Sequence, residues 1–128
     1  MPISWQTIFA VAFGGAIGSV LRYFAVLFQA KYYTTGFPIA ILFVNILGSF
    51  LIGFLYIYFL NNTLSDNLRF FLITGFLGGL TTFSTFALDS CLLLNSSLNL
   101  AILNISLNLF GSLFALFIGI KIAIILLK

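Results

Sequence analysis

Side chains that could do chemistry are scarce in this chain. It has five Lys or Arg, two Asp or Glu, no His and one Cys. The two carboxylates, Asp66 and Asp89, lie in different segments, so a close acid pair within one chain is not expected. Without His or a second Cys, neither an ordinary transition-metal cluster nor an internal disulfide is expected. Hydrolase and transferase chemistry has almost nothing to work with, so we do not expect an enzyme.

The composition indicates a membrane protein. Of the 128 residues, 62% are hydrophobic and 5% are charged, whereas a soluble domain carries about a quarter charged residues. We therefore expect an integral membrane protein, with the lipid bilayer as its surroundings. The net charge of +3 is small and does not suggest nucleic acid as a partner.

Arg22 and Asn45 are polar side chains inside apolar runs, where such groups are functional candidates. Arg22 has two interpretations. It either extends toward the lipid headgroups or supplies a fixed positive charge that attracts an anion at a vestibule. Asn45 lies far from either end of its run, so its amide needs an interhelical hydrogen bond or a water-filled path. The residue types alone leave both pairs of alternatives open.

The strongest pattern is the run GFLGGLTTFSTF at residues 75–86. Its three glycines and four hydroxyls make a poor continuous helix, which predicts a break. Unwound backbone within a membrane is tolerated where it is buried in protein or lines a cavity, and its freed carbonyls can bind a cation. Phe83 and Phe86 share a helical face, so their positive ring edges could face an anion; the alternative is ordinary packing. The four hydroxyls are those of Thr81, Thr82, Ser84 and Thr85.

A stripe of polar residues follows near the end of the chain. Asn104, Asn108 and Ser112 recur every four residues and therefore share a helical face. Such a row either makes hydrogen bonds that hold helices together or forms a polar track along a pore. Its regularity favours the track. Cys91, within an apolar run, is expected to be a small buried residue.

Four apolar segments can cross a bilayer, which requires roughly 20 residues each. We place them at about 3–29, 37–60, 68–94 and 98–127. They use the whole chain, so 1–128 is expected to be a single four-helix transmembrane subunit. The predicted fold class is an all-α membrane protein with four transmembrane helices, the third broken mid-membrane.

Charge and small residues bear on assembly. Arg69, Lys121 and Lys128 fall on one predicted side, and Arg22 and Lys31 on the other. This bias is too weak to fix one orientation by the positive-inside rule, so two copies could insert oppositely and pair antiparallel. Small residues at four-residue spacing permit close helix contacts, which favours oligomerisation. They are Gly14, Gly15, Gly18, Ser19, Gly75, Gly79, Gly111, Ala115 and Gly119.

Together these residues make the chain resemble the small dual-topology fluoride channels called Fluc or CrcB. The resemblance covers nearly the full length. Its third block is highly specific and its fourth is weak. The blocks are residues 14–23 (GGAIGSVLRY), 44–50 (VNILGSF) and 75–86, and the small and polar pattern that ends at Gly119.

The resemblance implies an antiparallel homodimer with two fluoride pores and a central structural Na⁺. It assigns the sodium ligands to the backbone carbonyls of Gly78 and Thr81, an oxygen donor set that suits a hard cation. The pore amide corresponds to Asn45 and the vestibule cation to Arg22. The remaining pore residues on this correspondence are Phe83, Phe86, Thr82, Ser84, Thr85, Asn108 and Ser112.

Three positions depart from the family pattern. The family usually has Gly-Thr shortly before the pore Asn, where this chain has Ala40-Ile41, so one pore hydroxyl is expected to be missing. Asp89 stands where a Glu is usual, which keeps the charge and shortens its reach. Asn104 stands where a Tyr is frequent.

The function implied is passive export of cytoplasmic fluoride, and so fluoride resistance. The competing class is a small multidrug transporter, which is also a short dual-topology four-helix chain. Those proteins depend on a Glu embedded in the first span, whereas the only charged residue in the first predicted span here is Arg22. A scaffold without transport activity is a further alternative, but it leaves the broken third span unexplained.

Overall fold

The computed structural model describes residues 4–127, and every regular element in that range is a helix. Four stretches are long and apolar enough to cross a membrane. The predicted all-α class with four spanning segments is therefore confirmed. Residue 3 of the first predicted segment lies outside the described residues, and the single unit 1–128 stays a prediction. The helices are α1 Trp5–Tyr32, α2 Ile39–Asn61, α3 66–80, α4 Phe83–Ser96 and α5 Leu98–Leu126, with α3 and α4 forming the third stretch.

Two helices contain π-helical stretches, Phe70–Leu77 in α3 and Leu107–Gly111 in α5. A π-helix closes its hydrogen bonds five residues along the chain instead of four, and such turns are frequent at functional sites. Each stretch therefore rotates the following residues about the helix axis. The stretch in α5 carries Asn108, and that in α3 ends directly before Gly78. No sequence pattern indicated either stretch.

Glycines let α1 and α3 pack backbone against backbone. A Cβ at Gly14 would overlap the carbonyl oxygen of Phe71, and one at Gly18 would overlap that of Phe76. From the other helix, a Cβ at Gly79 would lie 2.6 Å from the carbonyl oxygen of Gly15. Close approach of this kind is what small residues permit between helices in lipid.

Glycines also let α2 and α5 pack backbone against backbone. A Cβ at Gly53 would overlap the carbonyl oxygen of Leu116, and one at Gly119 would overlap that of Phe50. The small residues that favoured oligomerisation are thus largely used in contacts within the chain. Their spacing gives no independent support for a dimer, and the homodimer stays a prediction.

A glutamine fixes the connection between α1 and α2. Gln29 accepts a hydrogen bond from the backbone N–H of Ala40 at 2.6 Å and donates to the carbonyl of Phe37 at 2.8 Å. It thereby satisfies one of the N–H groups that the first turn of a helix leaves unpaired. This contact holds the start of α2, and with it the register of Asn45, against the end of α1.

Large apolar side chains cover the outside of the helices. Phe13, Phe110 and Phe114 are each about two-thirds exposed, which suits a surface that meets lipid tails. Cys91 is also exposed, so the expectation that it is buried was wrong. A thiol behaves as a small apolar group, and in a membrane helix an apolar run does not distinguish a residue facing lipid from one facing the interior.

Candidate functional site

The third spanning stretch is interrupted at two residues. Thr81 (φ −81°, ψ 155°) and Thr82 (φ −153°, ψ 124°) are extended and separate α3 from α4. Thr81 remains tied to the last turn of α3, because its N–H and its hydroxyl donate to the carbonyl of Leu77 at 3.0 and 2.9 Å. Its methyl group occupies the space where a Cβ of Gly48 would be.

Asn45 pairs with the backbone at this interruption. The N–H of Thr82 donates to Oδ1 of Asn45 at 2.8 Å, and Nδ2 of Asn45 donates to the carbonyl of Thr82 at 3.1 Å. A buried peptide group without a partner costs free energy comparable to a lost hydrogen bond. The amide on α2 therefore gives the Thr82 N–H the acceptor that it would have had in a continuous helix, and adds a donor to the Thr82 carbonyl.

The interruption releases carbonyl oxygens from the helical ladder, and those of Gly78 and Thr81 are among them. The N–H of Thr82 is bonded to Asn45, and the N–H of Thr85 is bonded to the hydroxyl of Thr82 at 3.2 Å. The carbonyls of Gly78 and Thr81, four residues earlier, consequently receive neither of these bonds. Gly78 lies at the exposed surface of the chain. Carbonyl oxygens of this kind are the ligands that hard cations bind.

Arg22 binds both sides of the interruption. Its Nε donates to the carbonyl of Gly79 at 3.2 Å, and its Nη1 donates to the hydroxyl of Thr85 at 3.4 Å. A cation at the C-terminal end of a helix is favoured by the helix dipole, and Gly79 belongs to the last turn of α3. The guanidinium therefore lies inward against α3 and α4. This position argues against the interpretation that Arg22 extends toward the lipid headgroups.

A cavity of about 210 Å³ opens beside the interruption. One water needs roughly 10–15 Å³ of such space, so several could enter. The rings of Phe83 and Phe86 meet edge to face on its wall, with centroids 5.3 Å apart and planes at 72°. Phe86 is 9% exposed and Phe83 is 76% exposed. The polar lining consists of Asn45, Ser49, Thr81, Thr82, Asn108 and Ser112.

Comparison with known proteins gives a consistent family. The family described as CrcB-like protein, camphor resistance, matches residues 9–120. A fluoride-specific ion channel FluC of Campylobacter fetus subsp. fetus is 48% identical over 119 residues, covering 91% of this chain and 93% of the relative. The FluC of Sulfurimonas denitrificans is 51% identical over 113 residues, covering 86% and 87%. That of Flavobacterium psychrophilum is 47% identical over 120 residues, covering 92% and 97%.

The chain belongs to the CrcB-like family. The residues that its resemblance to this family assigned to the pore divide into two groups in space. One group lines the cavity and consists of Asn45, Thr82, Phe83, Phe86, Asn108 and Ser112. The other does not line it and is connected to the hydroxyl of Thr82; it consists of Arg22, Ser84 and Thr85.

Hydroxyls connect the two groups in this CrcB-like chain. The hydroxyl of Thr82 donates to that of Thr85 at 3.1 Å and lies 3.3 Å from that of Ser84. Thr85 in turn accepts from Arg22. A line of polar atoms therefore runs from the guanidinium past the interruption to the cavity.

A second, wider space lies beside Thr85. Cavities of about 500 and 170 Å³ share the lining residues Gln29, Ala30, Pro38 and Asp89, and the smaller one reaches Thr85. Asp89, the departure from the family Glu, thus stands in the wall of this space. Of the other departures, Ala40 and Ile41 are buried. Neither side chain carries a hydroxyl group.

Two residues of the site escaped the sequence reasoning. Ser49 lines the cavity from α2, and its position four residues after Asn45 was the available signal. Ser90 is 5% exposed and accepts a hydrogen bond from Asn104. It lies four residues after Phe86, but nothing in the sequence indicated a bond across to α5.

Proposed function

We propose that this chain is a fluoride channel of the cell membrane, and that it lets fluoride leave the cytoplasm passively and so confers resistance to it. The observation that carries the proposal is the cavity beside the interruption of the third stretch, where aromatic edges and polar groups meet. The curated relatives, each named a fluoride-specific ion channel, support the choice of ion. We assign no enzymatic activity to it.

The lining of the cavity suits a small anion. Among the described residues that line it there is no carboxylate, and an aromatic ring carries its positive potential at the edge. The hydroxyls of Ser49 and Ser112 add two donors from facing helices. Arg22 supplies positive charge beside Thr85, and long-range attraction of this kind raises the local concentration of anions.

The wider space by Asp89 is proposed as the vestibule of the same path. Fluoride would enter beside Arg22, pass the hydroxyls of Thr85, Ser84 and Thr82, and reach the ring edges of Phe83 and Phe86. Donors at 3.1 to 3.4 Å spacing along this line support the assignment. Each step would exchange one set of hydrogen-bond donors for the next.

We further propose that two copies assemble antiparallel around a Na⁺ ion. Gly78 and Thr81 would hold the ion through their carbonyls, which the interruption releases. Hard cations take several oxygen ligands, and one chain offers two at this place, so a second copy would complete the site. The ion would supply only electrostatic attraction to these uncharged carbonyl oxygens. Replacing Na⁺ with a large organic cation should lower dimer stability, and unchanged stability would contradict the sodium site.

The competing multidrug-transporter function fits the described residues less well. Such transporters require an acid in the first span, whereas the first acid of this chain is Asp66. The first helix instead carries Arg22, which would repel a cationic drug. Two charges of the same sign separated by about 4 Å cost roughly 4 kcal/mol at an effective dielectric constant of about 20.

Efflux from proteoliposomes tests the proposed function. Vesicles loaded with fluoride and containing the purified protein should release it to a fluoride electrode when a potassium ionophore dissipates the charge. Vesicles without protein and vesicles loaded with chloride are the controls. Release of a cationic dye against a proton gradient, without fluoride release, would support the transporter; release of neither would support a scaffold.

A further inference from the structure

Buried amides link the interruption to the other side of the helix bundle. Nδ2 of Asn45 donates to Oδ1 of Asn108 at 2.8 Å, and Nδ2 of Asn108 donates to Oδ1 of Asn104 at 2.9 Å. Nδ2 of Asn104 donates to the hydroxyl of Ser90 at 2.9 Å, which donates to the carbonyl of Phe86 at 2.8 Å. We call these four side chains, Asn45, Asn108, Asn104 and Ser90, the amide relay.

The amide relay has one possible direction. At one end, the N–H of Thr82 can only donate, so the oxygen of Asn45 faces it. At the other end, the carbonyl of Phe86 can only accept, so the hydroxyl of Ser90 points its hydrogen there. Each amide between them must donate toward Ser90 and accept from the side of Asn45. Both ends of the amide relay are therefore fixed by backbone groups.

Burial separates the amide relay into two halves. Asn45 and Asn108 reach the wall of the cavity, whereas Asn104 and Ser90 do not. Asn104 is 0% exposed and Ser90 is 5% exposed. Neither of these two residues lines the cavity, and hydrogen bonds connect each of them to a residue that does.

The direction of the amide relay matters for an anion. The oxygens of Asn45 and Asn108 would repel a negative ion, and both are held by internal donors: the N–H of Thr82 and Nδ2 of Asn45. Nδ2 of Asn108 donates both to Oδ1 of Asn104 at 2.9 Å and to the backbone carbonyl of Asn104 at 3.1 Å. If the side chain of Asn104 turned because its bond to Ser90 was lost, the amide of Asn108 would keep only the backbone bond and could rotate more easily. Its oxygen could then turn toward the cavity, and Asn45 would lose an acceptor.

We propose that Ser90 and Asn104 are positioning residues that lock the pore amides with their oxygens turned away from the ion. The inference rests on the proposed fluoride function. It assigns a role to two residues on α4 and α5 that line no part of the cavity. Hydrogen bonds in such chains strengthen one another in a medium of low dielectric constant, so a change at Ser90 is transmitted to Asn45.

An isosteric pair of variants at Ser90 tests the lock. Ser90→Thr keeps the hydroxyl and Ser90→Val replaces it with a methyl group, and both add the same volume. Fluoride efflux per folded protein should be about two- to ten-fold lower in Ser90→Val than in Ser90→Thr, the range expected for one lost hydrogen bond. Ser96→Ala, an exposed serine on the same helix that bonds only within it, is the control and should match the parent.

A spectroscopic measurement separates positioning from general destabilisation. In protein labelled with ¹⁵N-asparagine, the side-chain NH₂ signal of Asn45, identified by its loss in Asn45→Asp, should shift in Ser90→Val and stay in place in Ser90→Thr. If neither variant folds, Ser90→Ala removes the hydroxyl without adding volume and gives the same comparison with the parent.

The outcomes distinguish this inference from the proposed function. A parent protein that releases no fluoride would overturn the channel function, and the signal of Asn45 would then decide the lock alone. A parent that conducts, with Ser90→Thr and Ser90→Val equal in flux, would overturn the positioning role. A stationary Asn45 signal in Ser90→Val would overturn it as well, because any loss of flux would then arise by another route.

Discussion

The side chain of Asn45 and the backbone of Thr82 are paired in both directions, with Thr82 N–H to Oδ1 at 2.8 Å and Nδ2 to the Thr82 carbonyl at 3.1 Å. Asn45 is 8% exposed, and both bonds are made within the protein. Loss of a partner for a buried polar group costs about 1–3 kcal/mol. A single amide on α2 therefore stabilises the extended link between α3 and α4 inside the helix bundle.

Replacing Asn45 with Asp should abolish fluoride flux. An ionised carboxylate about 4 Å from the ion raises its energy by roughly 4 kcal/mol at an effective dielectric constant of about 20. The substitution also removes the donor to Thr82 and Asn108. Efflux per folded protein is the measurement.

The control for this variant is Asn61→Asp, at the exposed end of the same helix. It introduces the same charge far from Thr82 and should conduct like the parent. Efflux at the parent's rate from folded Asn45→Asp would remove Asn45 from the path.

Replacing Gly14 with Ala should destabilise the fold. The added Cβ would overlap the carbonyl oxygen of Phe71, which is backbone and can move only with its helix. Overpacking of this kind typically costs about 1–3 kcal/mol. We expect a lower midpoint of thermal unfolding in detergent.

The adjacent residue offers a matched control. A Cβ at Gly15 would meet the carbonyl oxygen of Gly75 at 3.8 Å, an ordinary contact. Because Ala also favours helix over Gly by about 1 kcal/mol, Gly15→Ala should be neutral or more stable. Equal effects of the two variants would contradict the close packing of α1 on α3.

Much of this architecture was predictable, for identifiable reasons. Four apolar stretches of sufficient length predict four spans because lipid leaves few alternatives. The glycines and threonines of residues 75–86 indicated a departure from helix because both residue types weaken one. The polar positions of α5 were visible because Asn and Ser are rare in such surroundings.

The partners of these residues were not predictable. That Arg22 binds the carbonyl of Gly79, and Asn45 the backbone of Thr82, depends on how three helices pack. The spacing of small residues could not distinguish contacts within a chain from contacts between chains, since both require the same backbone approach. The stripe of Asn104, Asn108 and Ser112 likewise divides, with Asn104 in the interior and the other two at the cavity.

Reporter fusions should reveal two orientations of the chain. The charge bias between the two predicted sides, three against two, is too small to set one topology. Reporters of opposite specificity fused after Lys128 should both be active in cells. As a control, adding several Lys residues between Lys128 and the reporter should favour one orientation. A single orientation without added charge would exclude an antiparallel homodimer of this chain.

Replacing Phe83 or Phe86 with Ile tests whether the ring edges solvate fluoride. Ile keeps bulk and apolarity but lacks the positive edge of the aromatic ring. If the rings contact the ion, each variant should be folded and should show strongly reduced flux. The structure adds a difference between the two: Phe86 is 9% exposed and Phe83 is 76% exposed. Only Phe86→Ile should therefore also lose stability, by less than about 1.5 kcal/mol as for other volume-conserving swaps.

A third phenylalanine serves as the control. Phe110 is 66% exposed and does not line the cavity, so Phe110→Ile should leave both stability and flux unchanged. Fluoride efflux is measured at equal amounts of folded protein, so that any loss of stability in Phe86→Ile does not count as loss of conduction. Parent-like flux in both cavity variants would mean that these rings only pack. The hydroxyls of Ser49 and Ser112 would then be the remaining anion donors from the cavity wall, and their replacement by Ala would become the decisive experiment.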